Sequence, residues 1–313
     1  MAKTTKALKY FRCIDREQQA FDLEYLVRQA REQLDTVASS EIEFADEVIR
    51  IQHYENHEQG ISIHFVRYVP GESNETLTPN FEHPEDNESP HSAPQGMEYK
   101  DGDFYMYCSS HNIIGCAHGM NMSHSKIERY LHAFARRGSI DDENPEGRDC
   151  FFNISTALNL DKYRLIERHG VKSISFNASA YNASFEQAND NSYIQYAKRK
   201  LAEALRDRFE QYEDQHQLNV MQGLIIEGCL RLDGNRRAHE TAQGEIRRIA
   251  QECAEENNVT IHTQDGEPIN SSDMRLQKKI RIDKHGKSLL YGDVWRQLRV
   301  YYSELEEQNL LGQ

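Results

Sequence analysis

The stretch Asp103-Phe104-Tyr105-Met106-Tyr107-Cys108-Ser109-Ser110-His111-Asn112-Ile113-Ile114-Gly115-Cys116-Ala117-His118 holds two apolar runs around a polar turn. Phe104–Cys108 and Ile113–His118 are strand-sized, and Ser109–Asn112 between them is a hairpin turn signal. A helix follows directly. Ser125-Lys126-Ile127-Glu128 reads as a capping box, Ile127, Leu131 and Phe134 form an apolar stripe, and Gly138 is a C-cap. A hairpin running into an amphipathic helix points to an α+β fold.

The same rhythm extends in both directions. On the N-terminal side, Lys9–Ile14 reads as a short strand. A helix is expected over Arg16–Thr36, with Leu23, Leu26, Ala30 and Leu34 on one face. Glu47–Tyr54 and Ile61–Val69 read as paired strands around the turn Asn56–Gly60. Pro70–Asp101 carries five prolines and many acids, and is expected to be a long, poorly ordered acidic loop. On the C-terminal side, strands are expected at Lys172–Ser179, Met221–Leu232, Val259–Thr263, Met274–Asp283 and Lys287–Tyr291. Helices are expected over Phe185–Leu218, Ala238–Glu256 and Asp293–Glu307. The charged run Asp141–Arg148 suggests a boundary near residue 145, giving two mixed sheet-and-helix subdomains: 1–140, containing the acidic loop 70–101, and 150–313.

Composition narrows the class. No signal-peptide core and no bilayer-length apolar stretch occurs, so a cytoplasmic protein with no membrane partner is expected. The six cysteines are scattered without a CxxC pair, which favours free thiols. The net charge of −14 works against general affinity for polyanions. Residues from Tyr196 onward carry 18 basic and 20 acidic side chains, so the negative excess lies in the first two thirds.

That distribution draws attention to a basic stripe. Arg275, Lys278, Lys279, Arg281, Lys284, Lys287, Arg296 and Arg299 fall close together, interleaved with Tyr291, Trp295 and Tyr301. Cations with aromatic groups among them are the general recipe for nucleic-acid contact. Arg236, Arg237, Arg247 and Arg248 extend the stripe. The plain alternative is a solvated strand face with Trp295 and Tyr301 turned into the core.

Other chemistry is thinner. Cys108, His111, Cys116, His118 and His124 have the residue types zinc prefers, and could converge across the hairpin. Their spacing is no standard finger, and buried sheet thiols are the plainer account. Asp214, Glu227 and Arg231 near one strand would suit a metal-dependent nuclease, although acids are abundant here. Cys150 lacks an evident histidine partner, and no phosphate loop, dinucleotide fingerprint or G-x-S-x-G elbow is present. No cofactor is therefore expected.

Two segments carry a resemblance. Asp101-Gly102-Asp103-Phe104-Tyr105-Met106-Tyr107, with its hairpin and helix, resembles the N-terminal region of RexA-like phage-exclusion proteins. Thr260-Ile261-His262-Thr263-Gln264-Asp265-Gly266, followed by a basic strand and a terminal helix, is similar to their end. The resemblance spans about a third of the chain and transfers no catalytic residue. It implies an intracellular phage-defence or prophage accessory protein, compatible with a homodimer, that binds DNA or a protein partner. A metal-dependent nuclease and a non-catalytic partner-binding subunit stand as the alternatives.

Overall fold

The computed structural model describes residues 3–76, 89–119, 122–138, 151–179, 225–231 and 259–311. The helices expected over 185–218 and 238–256 lie outside them, as do Cys150, Asp214 and Arg236, Arg237, Arg247 and Arg248. The architecture is α+β, with antiparallel strand pairing throughout the described sheets.

The chain forms two compact units. The first joins Met1–Ala157 to Gln277–Gln313, and the second is Leu158–Leu276. The division therefore differs from the contiguous split expected near residue 145. Strand β1 (Lys3–Ile14) explains why. Its Phe11–Ile14 stretch pairs with β9 (Asn153–Thr156), and its Lys3–Lys9 stretch pairs with β14 (Gln277–His285). Both partners run antiparallel to β1, one following the other along it. The second unit's chain leaves after the first partner and returns just before the second.

The first unit is built on one large sheet. Its order is β15 (Ser288–Leu289), β14, β1, β8 (Asn112–Gly119), β7 (Lys100–Ser109), β4 (Ile61–Tyr68), β3 (Glu47–Asn56) and β2 (Ile42–Phe44), with β9 on β1. The β7–β8 hairpin is tighter than expected, with Ser109 already opposite Asn112. At the β3–β4 turn Gly60 sits at φ +88°, and a side chain there would meet the Cys108 carbonyl at 2.5 Å.

Period-two alternation gives the sheet two buried faces. Phe11, Ile49, Ile51, Ile61, Ile63, Phe65, Phe104, Met106 and Ile113 pack against α1 (Leu23–Gln33) and α2 (His124–Gly138). Helix α1 is shorter than expected. The Asp15 carboxylate first binds a turn through the amides of Glu17 and Gln19, and Asp22 then caps the helix by accepting from Tyr25. In α2 the cap is Ser123 rather than Ser125: its Oγ accepts from Lys126 N at 3.3 Å. Glu128 instead accepts from the amide of Ile154 at 2.6 Å, tying α2 to β9.

The other face is covered by the last helix, Tyr291–Glu307. We label it α4, after α3 (Leu160–His169) of the second unit. It buries Val294, Trp295, Leu298, Tyr301 and Leu305, each contributing on the order of 1.5–3 kcal/mol. Trp295 Nε1 donates to the Ile63 carbonyl at 3.3 Å.

The acidic segment is not structureless. Ser73–Thr76 (β5) pairs with Ser89–Ser92 (β6), while residues 77–88 lie outside the described set. In the second unit β10 (Val171–Ser179) lies between β11 (Ile225–Arg231) and β12 (Val259–Thr263), with β13 (Pro268–Asn270) outermost beside β12. Ile166, Ile174, Phe176, Ile261 and Met274 form its core. Among the described residues no helix is long and apolar enough to cross a membrane.

Candidate functional site

Alternation divides the basic stripe. Lys279 and Arg281 are exposed and stand opposite Ala7 and Thr5 on β1. They share that sheet face with Lys3, Lys9 and Phe11, the face that α1 and α2 cover further along. Here the helices stop short, and an open cavity of about 390 Å³ remains, lined by Thr5, Lys6, Ala7, Lys9, Gly115, Ala117 and His124. Small residues make this floor. A side chain on Gly115 would meet the Phe104 ring at 2.6 Å, so glycine keeps the floor low. His124 stacks on Phe11 at 4.9 Å to form one wall. Neither Lys279 nor Arg281 makes an ion pair among the described residues. Asp283 is the nearby acid on this face, opposite Lys3.

The remaining stripe residues go elsewhere. Lys278 faces α4, where its Nζ meets both Glu304 oxygens at 2.5 and 2.6 Å. Lys284 is exposed on that same side of β14, and Lys287 is exposed in the turn before β15. Arg296 pairs with Asp293 at 2.9 Å, and Arg299 reaches His57 Nδ1 at 3.1 Å, both from α4. Arg275 belongs to the second unit. Trp295 and Tyr301 are core residues, so they supply no stacking surface. The structure brings together Lys279 and Arg281 from the stripe, and adds Lys3 and Lys9, whereas Lys6, opposite Ile280, alternates to the other face. Sequence inspection missed Lys3 and Lys9 because the pairing with β14 is non-local.

The cysteine–histidine set does not converge. Cys108 packs on the α1/α2 face, whereas Cys116 and His118 project from the opposite face. His111 sits in the hairpin turn and His124 on Phe11. Burial pushes the Cys116 thiol up to about 11 and the Cys108 thiol well above its ordinary value. Among the described residues no group of three or more histidines, cysteines and acids is arranged to hold a metal. Glu227 and Arg231 are exposed on β11, and Asp214, the third member of that set, lies outside the described residues.

A second constellation, which the sequence did not suggest, lies on the α4 face. Asp103 Oδ1 accepts from His64 Nε2 at 2.7 Å and from Lys100 Nζ at 2.9 Å, and Lys100 also reaches Ser288 Oγ at 2.8 Å. Burial alone would raise the Asp103 carboxyl, but the bonds from His64 and Lys100 outweigh it and hold the group below its ordinary value. Tyr105, His64, His53 and Tyr291 form a ladder of rings, with successive centroids at 4.4, 5.4 and 4.0 Å. His53 joins this ladder through a bulge. Ile51 faces Phe65 and His53 faces His64, leaving Gln52 as an extra residue that reverses the alternation of β3. A cavity of about 640 Å³ opens beside the ladder, lined by Arg50, Gln52, His53, Tyr68, Met97 and Tyr291 among others.

No family model matches the sequence, and no curated protein matches it.

Proposed function

We propose that the protein binds nucleic acid along the cationic, open part of the β14–β1–β8 sheet face. What supports this is the β1–β14 register, which sets Lys279 and Arg281 beside Lys3 and Lys9 on one face that α1 and α2 leave open. Lysine and arginine held on neighbouring strands neutralise successive phosphates and release counterions, a contact that needs no base readout. An acidic protein has little background affinity for polyanions, so a local cluster of this kind dominates what binding there is. The aromatic rings at the cluster are poorly placed to stack on bases, since Phe11 and Phe104 are buried and His124 is stacked on Phe11, so contact runs through the phosphate backbone and sequence preference is weak. The likeness to RexA-like proteins supplies the cellular setting for this reading: phage defence or prophage maintenance, with DNA as the polymer.

The test is fluorescence anisotropy with labelled DNA across a salt series. Native protein binds with an affinity that falls steeply with salt. The Lys279→Ala/Arg281→Ala variant binds all sequences more weakly. Absence of binding by folded native protein at low salt refutes the reading and leaves a protein-partner role in its place.

A further inference from the structure

We propose that the cavity beside the ring ladder is a binding site for a neutral planar heterocycle of nucleobase size, hydrogen-bonded by the His53 imidazole and walled by Tyr291. This inference is independent of the nucleic-acid contact, which involves the opposite sheet face.

Four observations carry it. First, the cavity's volume of about 640 Å³ falls in the range of small-molecule sites. Second, both ring nitrogens of His53 are without a hydrogen-bond partner among the described residues, although the ring is fixed between His64 and Tyr291. A neutral imidazole offers one donor and one acceptor pointing in different directions, so either nitrogen can make a single hydrogen bond to a ring nitrogen or an exocyclic group of a heterocycle. Burial, then the neighbouring His64 and Lys100, lower the affinity of His53 for a proton and keep it in that neutral form.

Third, the charges around the cavity are already engaged. Arg50 pairs with Glu41 at 2.8 Å, and Lys100 is turned to Asp103 and Ser288. The Glu98 carboxylate accepts from the Gly71 amide at 3.0 Å. Among the described residues lining the cavity no cation is left over for a phosphate, and with Asp103 their residual charge is negative, so a neutral ligand is favoured over a phosphorylated one. Fourth, Met97 and Tyr291 are 65 % and 41 % exposed, placing adaptable apolar and aromatic surface at the rim. The bulge at Gln52 is the device that delivers His53 to this face, and bulges are over-represented beside functional sites.

The protein carries its own reporter. Trp295, its single tryptophan, meets the Tyr291 ring edge-on at 4.9 Å. Native protein is titrated separately with adenosine, guanosine, cytidine and uridine, followed by Trp295 emission and by calorimetry. At least one nucleoside gives a saturable response in both. His53→Phe keeps the stacked ring but removes both nitrogens, and weakens that response about tenfold or more. The Lys279→Ala/Arg281→Ala variant responds as the native protein does. Three results overturn the proposal: no saturable response to any of the four, unchanged binding by His53→Phe, or tighter binding of the corresponding 5′-monophosphate. Should His53→Phe fail to fold, Tyr291→Ala at its half-exposed position decides in the same way, with a tenfold loss expected and unchanged binding overturning the site.

Discussion

His53 stands directly across from His64, with ring centroids 5.4 Å apart, although strict alternation along β3 would turn it into the α1/α2 core. Gln52 absorbs the difference. Removing Gln52 straightens the strand without moving any neighbour to the wrong face, so its deletion should leave a folded protein that melts cooperatively. Removing Arg50 instead places Ile51 on the α4 face and Gln52 in the core, and should abolish cooperative melting. Thermal denaturation followed by circular dichroism distinguishes the two. Equal damage from both deletions would show that the bulge does not set the register.

The split of the basic stripe gives an asymmetric expectation for mutagenesis. Lys279→Ala/Arg281→Ala should reduce the slope of log affinity against log salt by roughly 2, about 0.9 for each phosphate that is no longer neutralised. Both side chains are exposed, so stability should change by no more than about 0.5 kcal/mol. Lys284→Ala/Arg296→Ala removes as much positive charge from the α4 side and should leave the slope unchanged. Similar weakening by both pairs would mean that net charge, rather than one face, governs binding.

Acid should destabilise the first unit in two stages. His53, His57, His111 and His118 are all held below the ordinary histidine value, with burial the largest cause in each. Below about pH 6.5 the unfolded chain therefore binds more protons than the folded one, and stability falls with pH. Asp103 is depressed in the folded state, so its contribution is present above about pH 3.9 and is lost as pH falls through its lower folded value. Melting temperature should decline from pH 7 to 5 and again below pH 4. Asp103→Asn should cost about 3 kcal/mol at neutral pH by leaving a buried pair broken, and should lessen the second decline, the rest of which comes from Glu47, whose carboxyl is held low, against its burial, by Lys126 and Arg67. A melting temperature that stays flat from pH 7 to 5 would contradict the histidine part.

Thiol chemistry separates the cysteines. Cys13, Cys108 and Cys116 are buried, with their thiols pushed up by burial. Cys229 is exposed. A thiol-specific disulfide reagent should modify Cys229 in the native protein, and Cys13, Cys108 and Cys116 only after denaturation. Rapid native modification of Cys108 or Cys116, mapped by mass spectrometry, would show that the sheet opens at the hairpin.

Local signals carried much of the fold. Val259–Thr263 alternates cleanly between two turn signals and forms a strand with those bounds. The β7–β8 hairpin, the β3–β4 hairpin and the last helix follow from the same kind of pattern. What was not legible depends on distant pairing. Thr4, Thr5 and Lys6 have little apolar character, and become strand because residues 280–282 pair with them. The Ser125 box met competition from Ser123, two residues upstream, and Glu128 was claimed by the Ile154 amide. The ring ladder was invisible because an unpaired Gln52 leaves no mark in the hydrophobic pattern, and because Tyr291 reaches His53 from the far end of the chain.

The placement of β9 and β14 along one strand also constrains synthesis. β1 leaves the ribosome early, but the partner for its Lys3–Lys9 stretch emerges only after the whole of 158–276 has been translated. Until then that stretch is an unpaired edge carrying Lys3, Lys6 and Lys9, whose like charges discourage it from recruiting a strand of a neighbouring nascent chain. The second unit, contiguous in sequence, is complete before the first can close. Its start and finish must come near enough together for β14 to continue where β9 left off. The cations of the proposed ligand surface thus have an earlier employment, guarding a vacancy in the sheet while the rest of the polypeptide is made.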